Sequence, residues 1–276
     1  LLLSSGMYQS NPSVPFVPGF EVAGIVREVS EASRFKVGDR VVGATTVFRS
    51  GRYGSFGELC ISSENLTYKL PDKISFEAGA AILMAYLTSD FALVRRANLQ
   101  KNETVLINAA AGGVGLSAVQ ISKNMGAKVI AAVGSEEKKL LVSKYNPDLV
   151  VNYQEENLKE VIEKNFGPKT IDVFYDQVGG EAYENGLRLL RSEGRALIVG
   201  FASGNIPKQI LSYLLVKNIS VMGVFMISFE NQNRDYLKER MDFIFEEYIK
   251  NNIDPIYKTI KFNEIVKYLD LIGSRK

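Results

Sequence analysis

A chain of 276 residues, 46% hydrophobic and 23% charged, has the make-up of a soluble globular protein with one large domain or two ordinary ones. Thirty-three Lys and Arg against thirty-one Asp and Glu give a net charge of +2, with one Cys and no His. Those counts exclude Ser-His-Asp and Cys-His catalysis, a His-ligated metal, an internal disulfide and a strongly basic nucleic-acid surface.

No uninterrupted apolar run approaches the roughly 18 residues of a membrane span, so no membrane partner is expected. The start, Leu1-Leu2-Leu3-Ser4-Ser5-Gly6, lacks both an initiator Met and the form of a signal peptide. Both ends read as cuts inside a longer protein, and they leave cytoplasmic and mitochondrial locations open.

From Val14 to about Leu70, short β-branched and aromatic runs alternate with Gly and Pro turns. Strands are predicted at 22–29, 40–42 and 57–61, the last containing Cys60 as a small core residue. Two Ala-rich or apolar helices follow at 76–83 and 88–97, the first capped by Ser75. A strand-then-helix rhythm then sets in. Strands are predicted at 104–108, 128–133, 149–152, 172–175 and 195–199, with 221–225 as a further apolar strand. Helices at 114–125, 135–145, 155–166 and 180–191 separate them. Continuously apolar strands joined by amphipathic helices mean a parallel sheet covered on both faces. The closing region predicts a long helix at 233–250, a strand at 256–260 and a helix at 262–271. A β-rich first part, a doubly wound middle and a short last part suggest two domains, residues 1–88 plus 228–276 with 89–227 inserted.

The most informative local pattern lies between the strand ending at Asn108 and the helix starting at Val114. There Ala110, Gly112 and Gly115 occupy the three small-residue positions of a dinucleotide fingerprint. They would permit the turn, the close approach of a pyrophosphate and tight helix-on-strand packing, with free N–H groups at the helix start aimed at the phosphates. Any tight strand-to-helix turn also favours Gly and Ala, but here both flanking elements are in place. About 20 residues further on, a protein specific for the unphosphorylated dinucleotide places an Asp or Glu. This chain instead has Val133-Gly134-Ser135, with Lys138 one turn later and Tyr153 after the next strand. That combination leaves room for a 2′-phosphate and points to NADPH, although Glu136 and Glu137 are adjacent.

Several ordered stretches carry a wider resemblance: VPGFEVAGIVREV (17–29), FKVGDRVVG (35–43), GSFGELC (54–60), NAAAGGVGLSAVQISKNMGAKVIAAVGSEEK (108–138), YDQVGGEAYENGLRLLRSEGRALIVGFASGNIP (175–207) and LLVKNISVMGVF (214–225). Together they resemble the zinc-free quinone oxidoreductase branch of the medium-chain dehydrogenase/reductase superfamily. The resemblance implies an α/β fold, a Rossmann doubly wound parallel sheet inserted in a mostly-β GroES-like catalytic domain. It implies NADPH-dependent hydride transfer to a quinone or enone, and a homodimer. Zinc-dependent relatives carry a ligand His where this chain has Phe20, so no metal is expected. Family members also have a few dozen residues ahead of this start and a last strand beyond Lys276.

Residue by residue, the resemblance implies that Gly112, Gly113, Val114 and Gly115 line the pyrophosphate and that Ser135, Lys138 and Tyr153 hold the 2′-phosphate. It sets Gln177, Val178, Gly200, Phe201, Ala202, Ser203, Val224 and Phe225 along the nicotinamide side of the cleft, with Thr88 near the nicotinamide ribose. Tyr8 is the main candidate for touching the acceptor, and Tyr53, on a Gly-rich loop at 50–57, a weaker one. Conjugated acceptors need placement and hydrogen-bond donors more than a Lewis acid. Two other readings are an NADPH-binding structural or interaction protein without turnover, and an enoyl thioester reductase.

Overall fold

A computed structural model describes residues 12–49, 52–229 and 233–273. The chain divides into two units, one of Leu1–Met84, Glu230–Ile249 and Pro255–Lys276, the other of Ala85–Phe229 and Lys250–Asp254.

In the first unit, β1 (Glu21–Ile25), β2 (Arg40–Thr45) and β3 (Ser62–Lys69) form an antiparallel sheet in the order β1-β2-β3. The β1/β2 register runs from Glu21 opposite Ala44 to Ile25 opposite Arg40. The β2/β3 ladder is irregular between Gly43 and Thr45, where a Cβ on Gly43 would lie 2.2 Å from Ser62 Oγ. Glycine is therefore the residue that lets β3 approach there. The core of this unit includes Val42, Ala44, Leu66, Tyr68, Ile74 and Ile82. Helix α1 (Phe76–Asp90) starts in this unit and continues as a π turn, Phe91–Arg96, in the other. Those 21 residues are long and apolar enough to cross a membrane, yet most of them are buried, as in a core helix.

Three expectations are corrected here. Residues 57–61 are bends and irregular chain, with Leu59 and Ile61 exposed, and pairing with β2 begins only at Ser62. Cys60 is accordingly half-buried in irregular chain, not part of a core strand. The helices predicted at 76–83 and 88–97 are one continuous element, because nothing between them breaks the helix. Residues 256–260 belong to no ladder among the described residues, and apolar composition without a pairing partner makes no strand.

The second unit holds a six-stranded parallel sheet. Its elements run β4 (Thr104–Ile107), α2 (Gly113–Asn124), β5 (Lys128–Val133), α3 (Glu136–Ser143), β6 (Leu149–Asn152), α4 (Leu158–Phe166), β7 (Ile171–Asp176), α5 (Gly180–Leu189), β8 (Leu190–Ile198), α6 (Leu211–Lys217), β9 (Ser220–Gly223) and α7 (Met226–Phe229). Helices α8 (Arg234–Ile249) and α9 (Ile265–Gly273) return to the first unit, where α8 buries Leu237, Met241, Ile244 and Phe245.

The strand order β6-β5-β4-β7-β8-β9 means the chain winds outward from β4 in one direction, then returns to start again at β7. Such a reversal leaves a crevice at the C-terminal ends of β4 and β7, where ligands bind in open α/β sheets. Residues alternate between the two sheet faces. Leu106, Ile130, Phe174 and Ala196 pack with Ile162 of α4 and Tyr183 and Leu187 of α5. The approach of α5 is close enough that a Cβ on Gly186 would lie 2.2 Å from Phe174 Cζ.

Candidate functional site

The turn from β4 into α2 is built from small residues, each for its own reason. Ala109, not Ala110, takes the left-handed backbone conformation that reverses the chain, at φ 48°. Ala110 is fully buried and its N–H donates to the Ala132 carbonyl at 3.1 Å, tying the loop to β5. The sequence reading gave Ala110 the turn; the structure gives it the packing.

At Gly115 the protein itself demands glycine. An added Cβ would lie 2.5 Å from the Ala109 carbonyl oxygen and 2.6 Å from Gln177 Nε2. Gly112 differs: its backbone is extended, its nearest obstruction is at 3.5 Å, and it caps α2 with no side-chain hydrogen bond. A Cβ on Gly113 would meet only Ala85 Cβ, at an ordinary 3.8 Å. The first N–H groups of α2 therefore point from a helix start that has no capping side chain and whose glycines the chain's own packing does not require. Those groups, with Val114 between the two later glycines, fit a phosphate-bearing ligand.

The end of β5 carries no acid. Ser135 caps α3, its Oγ accepting the Lys138 N–H at 3.3 Å. Because that contact uses an acceptor lone pair, the Ser135 hydroxyl proton remains available to an incoming oxygen. A Cβ on Gly134 would stand 2.7 Å from the Tyr153 hydroxyl, so the phenol tip of Tyr153 lies directly over Gly134. Lys138 is half-buried one turn into α3, and Glu136 and Glu137 are exposed in its first turn, where acids favour a helix start. The neighbouring Lys139 is engaged elsewhere, paired with Glu156 at 3.0 Å.

The end of β7 holds a buried acidic side chain, Asp176. Asp176 Oδ1 accepts Asn108 Nδ2 at 3.0 Å and the Val178 N–H at 3.2 Å, while Oδ2 accepts the Gly179 N–H at 3.0 Å. Burial raises its pKa above the usual carboxylate range. Gln177, expected to face the ligand, instead turns its amide inward, where Nε2 donates to the carbonyls of Asn108 and Ala109 at 3.0 and 3.1 Å. It shapes the glycine turn from behind. Asn108 was missed, although a polar residue closing an apolar strand was the signal for it.

Beyond β8, Gly200, Phe201, Ala202 and Ser203 curl back toward β7: the Ala202 and Ser203 N–H groups donate to the Gln177 and Val178 carbonyls, both at 2.9 Å. Beyond β9, Val224 is buried and its N–H donates to the Ile198 carbonyl at 2.9 Å, while Phe225 is exposed. The parallel sheet thus brings residues 108–115, 134–135, 176–178, 199–203 and 224–225 to one edge. Thr88 is half-buried on α1 in the same unit. Tyr53 belongs to the first unit, exposed and bridged in parallel to Val17. Tyr8 lies outside the described residues.

Comparison with known proteins shows the family of this fold. Residues 2–72 match the family "Alcohol dehydrogenase GroES-like domain" and residues 113–246 the family "Zinc-binding dehydrogenase". Quinone oxidoreductase-like protein 2 of Rattus norvegicus is 35% identical over 269 residues, 95% of this chain and 75% of that protein. Quinone oxidoreductase of Homo sapiens is 35% identical over 230 residues, 82% of this chain and 67% of the other. The chain belongs to the quinone oxidoreductase family of medium-chain dehydrogenases/reductases. The Escherichia coli quinone oxidoreductase, solved in complex with NADPH, superimposes with a TM-score of 0.90 at 30% identity, covering 99% of this chain and 83% of that one.

The metal named in the second family description does not fit the donors present. The chain has no His and a single Cys, and no three of His, Cys, Asp and Glu cluster among the described residues.

Proposed function

We propose that the chain is an NADPH-dependent, zinc-independent oxidoreductase that passes hydride to quinones or similar α,β-unsaturated carbonyl acceptors. The observation that carries this reading is the uncapped start of α2, where Gly112 and Gly113 are glycines for no reason internal to the protein. Open space beside unpaired N–H groups suits a pyrophosphate. The acid-free end of β5 supports the phosphorylated dinucleotide, and the NADPH complex of the Escherichia coli relative agrees with it.

In this proposal the N–H groups at 113–115 take the pyrophosphate, and Ser135, Lys138 and Tyr153 surround the 2′-phosphate. The ends of β7, β8 and β9 wall the nicotinamide side, with Thr88 beside it. When bound, the dihydronicotinamide supplies the hydride. The chain's own contribution is placement: a rigid strand-end platform orients the ring, and apolar residues such as Val178 and Phe201 exclude water from it. Tyr53 and Tyr8 are proposed to contact the acceptor. A homodimer is part of the same proposal, supported by β9 at the sheet edge and by the exposed Leu211, Leu215 and Val216 of the adjacent α6.

The test is fluorescence titration with NADPH and NADH, followed by cofactor oxidation on adding a small quinone. Tight NADPH binding with turnover supports the reductase. Binding without turnover, on quinone and enoyl thioester alike, would leave a cofactor-binding protein, and binding of neither dinucleotide would sink the proposal.

A further inference from the structure

Beneath the glycine turn lies a hydroxyl cluster that the site as described does not use. Ser89 on α1, Ser117 on α2 and Tyr175 on β7 are all shielded completely from solvent. Ser89 Oγ sits 2.9 Å from the Tyr175 hydroxyl, 2.8 Å from Ser117 Oγ and 2.8 Å from the Val114 carbonyl. Ser117 Oγ in turn lies 2.9 Å from the Val114 carbonyl and 2.9 Å from the Ala85 carbonyl of α1.

The protons can be counted. Three hydroxyls carry three protons, and the carbonyls within reach are those of Val114 and Ala85. Burial holds the Tyr175 phenol well above its usual pKa, so it stays a donor. With Ser89 as its hydrogen-bonding neighbour, its proton goes to Ser89 Oγ, which leaves the Ser89 and Ser117 protons for the carbonyls of α1 and α2. Every buried hydroxyl is satisfied only when all three elements are in register.

We infer that Ser89, Ser117 and Tyr175 are positioning residues that fix the first turn of α2 against α1 and β7 and thereby set affinity for the dinucleotide pyrophosphate. Val114 is the second residue of α2, flanked by Gly113 and Gly115, so whatever holds its carbonyl also aims the N–H groups of that turn. None of the three side chains needs to touch the ligand. Alanine and phenylalanine would pack a helix-on-sheet interface without requiring satisfaction, so three interlocking hydroxyls act on orientation, with pre-organisation as the gain. The inference rests on the NADPH reading of the site.

The test uses the full chain and two ligands, NADPH and adenosine 2′-monophosphate, the second carrying the 2′-phosphate but no 5′-phosphate for the α2 turn to hold. Tyr175→Phe is nearly isosteric and should raise the NADPH Kd about tenfold, the usual weight of one lost hydrogen bond of orientation, with the 2′-monophosphate Kd within about twofold of the parent. Ser89→Ala leaves the Tyr175 proton without an acceptor and should also lower Tm. The double variant Ser89→Ala/Tyr175→Phe removes the orphaned donor, so Tm should recover while NADPH binding stays weak. A purely structural cluster would instead restore both together. NADPH affinity unchanged in Tyr175→Phe, or both ligands weakened alike, overturns the inference while leaving the proposed function standing. No NADPH binding by the parent chain overturns both.

Discussion

Glycines 112, 113 and 115 look alike in the sequence, yet they answer to different atoms. At Gly115 the constraint is the Ala109 carbonyl oxygen and the Gln177 amide, so Gly115→Ala forces the helix off its strand. Overpacking of that kind costs about 1–3 kcal/mol, which denaturant unfolding should show together with weakened NADPH binding. Gly112→Ala, with no close obstruction, should cost only the weaker N-cap preference of Ala, about 1 kcal/mol or less, while weakening binding. Ser135 offers a second separation of roles. Ser135→Asp keeps a capping oxygen for Lys138 N–H, so stability should hold. The new charge would repel a 2′-phosphate and suit a free ribose hydroxyl, so the NADPH-to-NADH ratio of kcat/KM should fall by on the order of tenfold or more.

Among elements, β1 and α1 of the first unit meet through the carboxyl of the half-buried Glu21. Glu21 Oε1 accepts the Met84 N–H at 3.0 Å, and burial pushes the Glu21 pKa up from 4.5 to about 7. Its folded pKa is raised, so the folded state favours the protonated acid. The stability it contributes is complete below pH 4.5 and is lost as pH rises through 7, amounting to at most about 3 kcal/mol by linkage. Unfolding measured from pH 4.5 to 8 should show that decline, and Glu21→Gln should flatten it. At this scale the alternating strands and helices of the second unit were legible because short apolar strands such as β4 and β5 are followed by helices with clear start signals. Ser135 and Asn157, for instance, do cap α3 and α4. Strand β3 was not legible: Ser62-Ser63-Glu64-Asn65 is polar, while the more β-like residues before it lack a partner. Propensity marks where a strand can form, and pairing decides where it does.

For the molecule as a whole, the chain offers no His and a single Cys to a zinc ion, and no three of His, Cys, Asp and Glu cluster among the described residues. Exhaustive dialysis against a strong chelator should therefore leave NADPH binding, quinone turnover and Tm unchanged. A loss of turnover that added zinc restores would overturn the zinc-independent reading. The order of the six parallel strands explains why distant segments share one site: β4, β5, β7, β8 and β9 all end at the same edge, so five separate loops converge there.

Composition and local pattern alone determined the excluded chemistries, the doubly wound sheet, the position of the glycine turn and the lack of an acid after β5. These depend on residue identity within a few turns of chain, where period, caps and small residues act directly. The tertiary structure decided which atoms those residues serve. It turned Gln177 inward, moved the chain reversal from Ala110 to Ala109, set Tyr153 over Gly134 and joined Ser89, Ser117 and Tyr175 in one buried cluster. Each of those contacts links residues far apart in the chain or depends on a single backbone angle. No local pattern carries that information, because it exists only once the sheet has closed the distances.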